Sequence, residues 1–389
     1  MNYDFFAPRQ IHFGWDRFQE VGTLAASLGT RALIISGSRS LESNGVLEEL
    51  QSLLSRAGIT SEHIRTISHE PEVKDVDHVT NILQHHSHGA GDFLIGIGGG
   101  SGIDLAKACS AMITNRESET VLDYLEGVGQ GLQLTEEPLP LMAIPTTAGT
   151  GSEATKNAVI SSYAPAFKKS LRSPEMIPDL ILCDPKLACS VPPEITARTG
   201  MDAITQLLES YISSRAQPLP QALSLQGLKL AIPALPLAVE DGSSRTAREN
   251  MAHAALLSGI ALANSGLGMA HGVAPPLGTH CRIPHGLACA VMLPVTLRAN
   301  RSVCETQYAE IARHLDPGLT LSDAEAADAF IDQIQALNDQ IGIPRTLSEL
   351  GVTPEQIPDL VAGSRGNSMR GNPREIPDEE LTQILQGLL

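Results

Sequence analysis

A strand that feeds a helix through a run of glycines is what most constrains the fold of this 389-residue chain. Residues 92–107 read DFLIGIGGGSGIDLAK: an apolar run, then Gly98, Gly99 and Gly100, then Ser101 and the start of a helical pattern. An apolar run ending in small residues is expected of a buried parallel strand whose carboxyl end faces a ligand crevice. Glycines there let the backbone approach a bound group, Ser101 offers a hydroxyl, and the first helical turn supplies N–H groups and the positive end of the dipole. That is the physics of a phosphate cradle. The spacing is neither GxxxxGK[ST] nor GxGxxG, and a tight turn that binds nothing would use glycine too, but consecutive small residues favour the cradle.

Other segments repeat the alternation. RALIISGS from Arg31 reads as a strand, and Leu47, Leu50, Leu53 and Leu54 mark a helix that stops at Gly58. Further strands are expected at 63–67, 139–144 and 180–183, with a helix over 76–84. Strands and helices alternating at this spacing predict an α/β layer with a mostly parallel sheet. The strand at 139–144 enters a second loop, PTTAGTGSE, whose hydroxyls suit ribose, phosphate or an amide. Two such loops on neighbouring strands are the arrangement expected where a parallel sheet binds a nucleotide. Beyond about residue 186 the chain is rich in Ala and Leu at helical spacing, which places a domain of 1–187 before an all-helical one of 188–389. His85, His86 and His88 fit a solvated helix end.

Charge and cysteines narrow the class. Against 27 Lys and Arg stand 44 Asp and Glu, a formal charge of −17, so nucleic acid and anionic membrane are not expected partners. Six cysteines form no CxxC pair, which suits buried thiols in a reducing compartment. The apolar run over 251–277 is interrupted by His253, Asn264, His271 and two prolines, as in a buried helix pair rather than a membrane span. With no basic-then-apolar leader at the start, a cytoplasmic protein is expected.

Two helical segments carry chemistry. In TGMDAITQLLES, Asp202 and Gln206 are four apart and share a face. A carboxylate on a buried helix suits a cation, although a cap or surface acid has the same signature. Residues 266–286, GLGMAHGVAPPLGTHCRIPHG, hold His271 and His285 fourteen apart across a Pro/Gly-broken turn. One imidazole would then stand near the end of a helix and the other at the start of the next, aimed at one metal or serving as polar tips of a core. Arg365 and Arg370 could suit an anionic substrate or simply be solvated.

GGGSGIDLAKA, PTTAGTGSE, TARTGMDAITQLLESY, GLGMAHGVAPPLG with IPHG, and the tail GNPREI stand in an order that resembles the iron-containing, group III alcohol dehydrogenases of the dehydroquinate synthase-like superfamily. The resemblance implies a Rossmann-like nucleotide-binding domain and a helical metal- and substrate-binding domain. It implies pyrophosphate contacts at Gly98, Gly99, Gly100 and Ser101, with Asp104 and Lys107 in the same signature. Thr146, Thr147 and Ser152 fall on the second cofactor loop, and Lys168 or Lys169 near the nicotinamide ribose. The metal ligands, and with them the catalytic centre, fall on Asp202, Gln206, His271 and His285, with Fe²⁺ first and Zn²⁺ or Mn²⁺ open. The implied reaction is NAD(P)-linked hydride transfer between nicotinamide C4 and a small alcohol or aldehyde, in a homodimer or larger assembly. A dehydroquinate synthase-type lyase and a metal-deficient, non-catalytic nucleotide binder are the alternatives.

Three departures stand out. Gln206 replaces the family's usual histidine by a weaker neutral donor. Pro275 stands where many relatives carry a histidine, which leaves proton transfer to water, a ribose hydroxyl or His280. Gly37 occupies the place of an aspartate that repels a 2′-phosphate, and with Ser38 and Arg39 beside it NADP(H) is expected over NAD(H).

Overall fold

The computed structural model describes residues 2–85, 89 and 91–389. Eight segments become short strands, the apolar runs among them supplying β2, β4, β5 and β8: β1 Gln10–Phe13, β2 Arg31–Ser36, β3 Thr60–Thr66, β4 Asp92–Gly98, β5 Leu141–Pro145, β6 Asn157–Tyr163, β7 Ala166–Arg172 and β8 Leu180–Cys183. Six of them form one sheet in the order β1-β8-β5-β4-β2-β3, every pair parallel. Without β1, that order is the doubly wound 2-1-3-4-5 arrangement, whose switch point lies between its first and third strands. Here those strands are β2 and β4, so Ser36 and Gly98 end side by side.

Successive residues of a strand point to opposite faces, and both faces are filled. Leu33, Ile35 and Leu94 enter one core with Val76, Val79 and Leu105. Ala32, Ile34, Phe93 and Ile95 enter another with Leu47, Leu50 and Leu54 of the helix Val46–Arg56. Every residue of β4 is buried, as a central strand requires.

The sequence reading did not foresee β1 or the antiparallel hairpin β6–β7, and β3 begins three residues before the expected 63. The helix Val73–His85 ends with His85 Nδ1 2.7 Å from the Asn81 carbonyl; His86 and His88 lie outside the described residues.

The chain divides into two units. One comprises Phe6–Thr147 with Gly151–Cys189; the other is Ser190–Leu389 with residues 2–5 and Ala148–Thr150, a three-residue grouping that a division at 187/188 does not provide for. The second unit is helical, with Pro193–Ile212, Pro218–Glu240, Arg245–Ser265, Met269–Cys281, His285–Asn300, Glu305–Leu315 and Asp323–Gln340 as its long members. Pro218–Glu240 is long and apolar enough to cross a membrane by length and composition, at a mean hydropathy of 1.5. In the fold its Leu228, Ala231 and Leu235 are fully buried in the unit's core.

One local expectation is corrected. His271 is the third residue of its helix rather than near the end, because Met269–Cys281 runs on through Pro275 and Pro276. Packing outweighs the two amide bonds these prolines remove: Pro276 is buried, and a Cβ on Gly363 would lie 2.8 Å from its ring. The helix stops at Arg282, which takes the left-handed conformation (φ 59°), and Pro284 then leads into His285–Asn300.

Candidate active site

Three helices of the second unit bring a carboxylate, two imidazoles and a thiol together. Asp202 is buried midway along Pro193–Ile212, and its Oδ1 lies 3.2 Å from His271 Nε2 and 3.8 Å from His285 Nε2. Cys289, one turn after His285, places Sγ 3.8 Å from His285 Nε2. One donor atom from each of these four residues falls within 4.8 Å of every other. Glycine makes the approach feasible: a Cβ on Gly286 would meet the Arg198 carbonyl at 2.4 Å and Asp202 Cβ at 3.4 Å, so only a bare backbone brings the start of one helix against the other.

Glu209 supports the group from behind. Its Oε2 lies 2.7 Å from His271 Nδ1, and its Oε1 accepts from the Ala270 amide at 2.6 Å, a carboxylate at the N-terminal turn of a helix where the dipole favours it. A Cβ at Gly268 would lie 3.0 Å from the same Oε1. With the Nδ1 proton held by Glu209, the Nε2 edge of the ring is turned to Asp202, the arrangement by which an outer carboxylate fixes a ligand histidine.

The electrostatics agree. Burial disfavours the Asp202 anion, but His285 and His271 outweigh it and hold its carboxyl below the usual range. Burial likewise disfavours the His271 cation, yet Cys289, Asp202 and Glu209 carry its pKa well above the ordinary value. Burial pushes the Cys289 thiol up to about 12. The site sets the carboxylates of Asp202 and Glu209 around His271, whose proton a cation would replace. Its oxygen, nitrogen and sulfur donors fit a divalent metal.

Gln206 uses its amide elsewhere. Its Nε2 donates to the Thr150 carbonyl at 3.1 Å, and its Oε1 accepts from Ser258 Oγ at 2.8 Å. Glu209 and Cys289 were not singled out from the sequence. Both had a signal, since Glu209 is seven residues after Asp202 and Cys289 four after His285, spacings that return to the same helix face. Pro275 has no proton to exchange and His280 is exposed. Arg365 donates to the Ile376 carbonyl and pairs with Asp378, so its guanidinium is committed within the fold.

In the sheet unit, the glycine turn sits at the switch point. Gly98 has φ 148°, and a Cβ there would come within 2.7 Å of the Gly37 backbone, as one on Gly102 would within 2.6 Å. These glycines are required by backbone packing, a reason the sequence reading did not include. Gly99 opens the helix Gly100–Thr114 without a side-chain cap; the Gly102 amide donates to the Gly99 carbonyl, and the amides of Gly100 and Ser101 precede that bond at the positive end of the helix. A Cβ on Gly99 would lie 3.1 Å from Thr147 Oγ1, and the Thr146 amide donates to the Gly98 carbonyl, so the two expected cofactor loops do stand together. Gly100 and Ser101 are half-buried in the same turn. This arrangement suits a dinucleotide.

Other cofactor candidates serve the scaffold. Asp104 is buried, and its Oδ2 accepts from the Val159 amide at 3.1 Å. Lys107 Nζ donates to the carbonyls of Ser152, Thr155 and Asn157 and to Thr155 Oγ1, at 2.5–3.0 Å. The pair ties the second loop and β6 to the helix, and Ser152, itself buried, meets Lys107 through its carbonyl. Lys168 forms a 2.7 Å ion pair with Glu70. Ser38 caps the short helix Arg39–Ser43 through Ser40 N, and Arg39 is exposed.

A doubly wound sheet with an uncapped glycine turn and a helical unit with an Asp–His–His group define a nucleotide- and metal-using class of enzyme. Comparison with known proteins carries this further. Residues 8–185 match the iron-containing alcohol dehydrogenase family and residues 196–389 its C-terminal domain. The NAD-dependent methanol dehydrogenase of Bacillus methanolicus is 32% identical over 390 residues, covering 99% of this chain and 100% of its own. The NADPH-dependent butanol dehydrogenase of Clostridium saccharobutylicum is 30% identical over 387 residues, covering 98% and 97%. The crystal structure of a 1,3-propanediol oxidoreductase superposes with a TM-score of 0.93 at 31% identity, covering all of both chains. The chain belongs to the iron-containing alcohol dehydrogenase family. It is accordingly a metal-dependent oxidoreductase, and the family implies NAD(P) and a divalent metal such as iron.

Proposed function

We propose that this chain interconverts a small alcohol and its aldehyde with NADP(H) as the hydride partner, using a divalent cation held in the helical unit. The observation that carries the reading is the convergence of Asp202, His271 and His285 from three helices, with Glu209 on the far nitrogen of His271. The cation, when bound, supplies Lewis acidity toward a substrate oxygen. Asp202 and the Nε2 atoms of His271 and His285 hold it, and Glu209 keeps the His271 ring in the tautomer that presents Nε2. Since residue 275 is proline, proton exchange falls to water or a ribose hydroxyl.

The nucleotide belongs to the sheet unit. The uncapped first turn at Gly99, Gly100 and Ser101, beside Thr147 at the β2/β4 switch point, supports pyrophosphate binding there. The preference for NADP(H) rests on Gly37, which presents no carboxylate to a 2′-phosphate, and on the exposed Arg39 two residues on.

NADPH and NADH oxidation with a panel of short and functionalised aldehydes tests this directly. Higher kcat/KM with NADPH is expected, and Arg39→Ala should raise KM for NADPH about 5- to 10-fold, the worth of an exposed charge-assisted contact, with little change for NADH. A preference for NADH in the wild-type protein overturns the cofactor choice. His271→Ala should abolish turnover and spare nucleotide binding; unchanged turnover would remove the metal assignment.

A further inference from the structure

We propose that Cys289 is the fourth ligand of the cation in this chain, replacing the donor that relatives place one turn after Asp202. The inference rests on the metal-site reading above. Its basis is two observations that fit together. Gln206, at the usual histidine position, has both ends of its amide engaged, by the Thr150 carbonyl and by Ser258 Oγ, and is buried in that arrangement. Cys289, fully buried on the next turn after His285, brings Sγ within 4.8 Å of the donor atoms of Asp202, His271 and His285. A neutral amide is a poor substitute for an imidazole; a thiolate is a strong one.

The exchange alters the metal as well as the ligand. On binding, the Cys289 S–H bond breaks, the sulfur pair goes to the cation and the proton to solvent. Two anionic donors, carboxylate and thiolate, then match the divalent charge in a buried site. Sulfur with two imidazoles suits Zn²⁺ and disfavours Mn²⁺, and it moves the site away from the harder Fe²⁺ environment of a one-carboxylate, three-imidazole set.

Cobalt substitution tests the ligand without reference to turnover. Metal-free full-length protein is titrated with Co²⁺ and its absorption recorded. The wild-type protein should take up one equivalent and develop an intense near-ultraviolet thiolate-to-cobalt band. Cys289→Ser should lose that band and bind Zn²⁺ more weakly by more than the ~10- to 100-fold that removing an outer partner costs. Gln206→Ala should keep the band, and Gln206→His with Cys289→Ser should recover affinity without it. Co²⁺ uptake by the wild-type protein with no such band overturns the assignment of Cys289 and leaves the cation site standing. No uptake at all, in the wild-type protein as in His271→Ala, overturns both.

Discussion

Glu209 decides which nitrogen of His271 faces Asp202, through a 2.7 Å contact at Nδ1. Glu209→Gln keeps the shape and removes the charge, and should weaken divalent-cation affinity by ~10- to 100-fold while the fold persists, as competition with a chelating dye would measure. The same ring sets a pH dependence. Between two carboxylates His271 is held above the ordinary imidazole range, and a cation must displace its proton. Affinity should therefore fall as pH falls through neutrality, and a pH-independent affinity would show that His271 is no ligand. Asp202, His271 and His285 were named from the motifs that carry the family resemblance, because each local pattern alone suits a cap or a core polar tip as well as a ligand. Glu209 and Cys289 were not, because they act through helical-face spacing from those residues and only folding shows that the faces meet. Asp104 stands in a signature too, and in the fold its Oδ2 accepts from the Val159 amide.

The helix Gly100–Thr114 and the hairpin β6–β7 are joined by one buried cation. Lys107, fully buried, satisfies three carbonyls and a hydroxyl, and burial lowers its pKa to about 8. Lys107→Met leaves those acceptors and the nearby Asp104 without it and should cost about 3–5 kcal/mol in urea unfolding. Adding Asp104→Asn should cost less than the sum of the two single changes. Burial also lifts the Asp104 carboxyl to about 6, from 3.8. A folded pKa above the unfolded one means the fold favours the protonated acid, so stability from this group is complete below about pH 4 and is lost as pH rises through 6. Asp104→Asn should therefore remove a loss of about 3 kcal/mol across that window. The hairpin itself escaped sequence reading because its strands are partly polar and turn through Ala164–Pro165 without an Asn-Gly or Asp-Gly signal. The exposed edge strand β1 escaped for want of an apolar run.

Across the whole molecule, the alternation of apolar strand and amphipathic helix was enough to foresee a parallel sheet followed by a helical unit. Strand order was not legible, since β1 pairs with β8 about 170 residues away and nothing local to Gln10–Phe13 encodes that partner. The central claim is that the divalent cation on Asp202, His271 and His285 is required for hydride exchange. Chelator-stripped protein, titrated with one divalent cation under NADPH and aldehyde, tests it most directly. Turnover should be absent before addition and should rise to a plateau at one equivalent per chain; full turnover in the stripped protein would contradict the account.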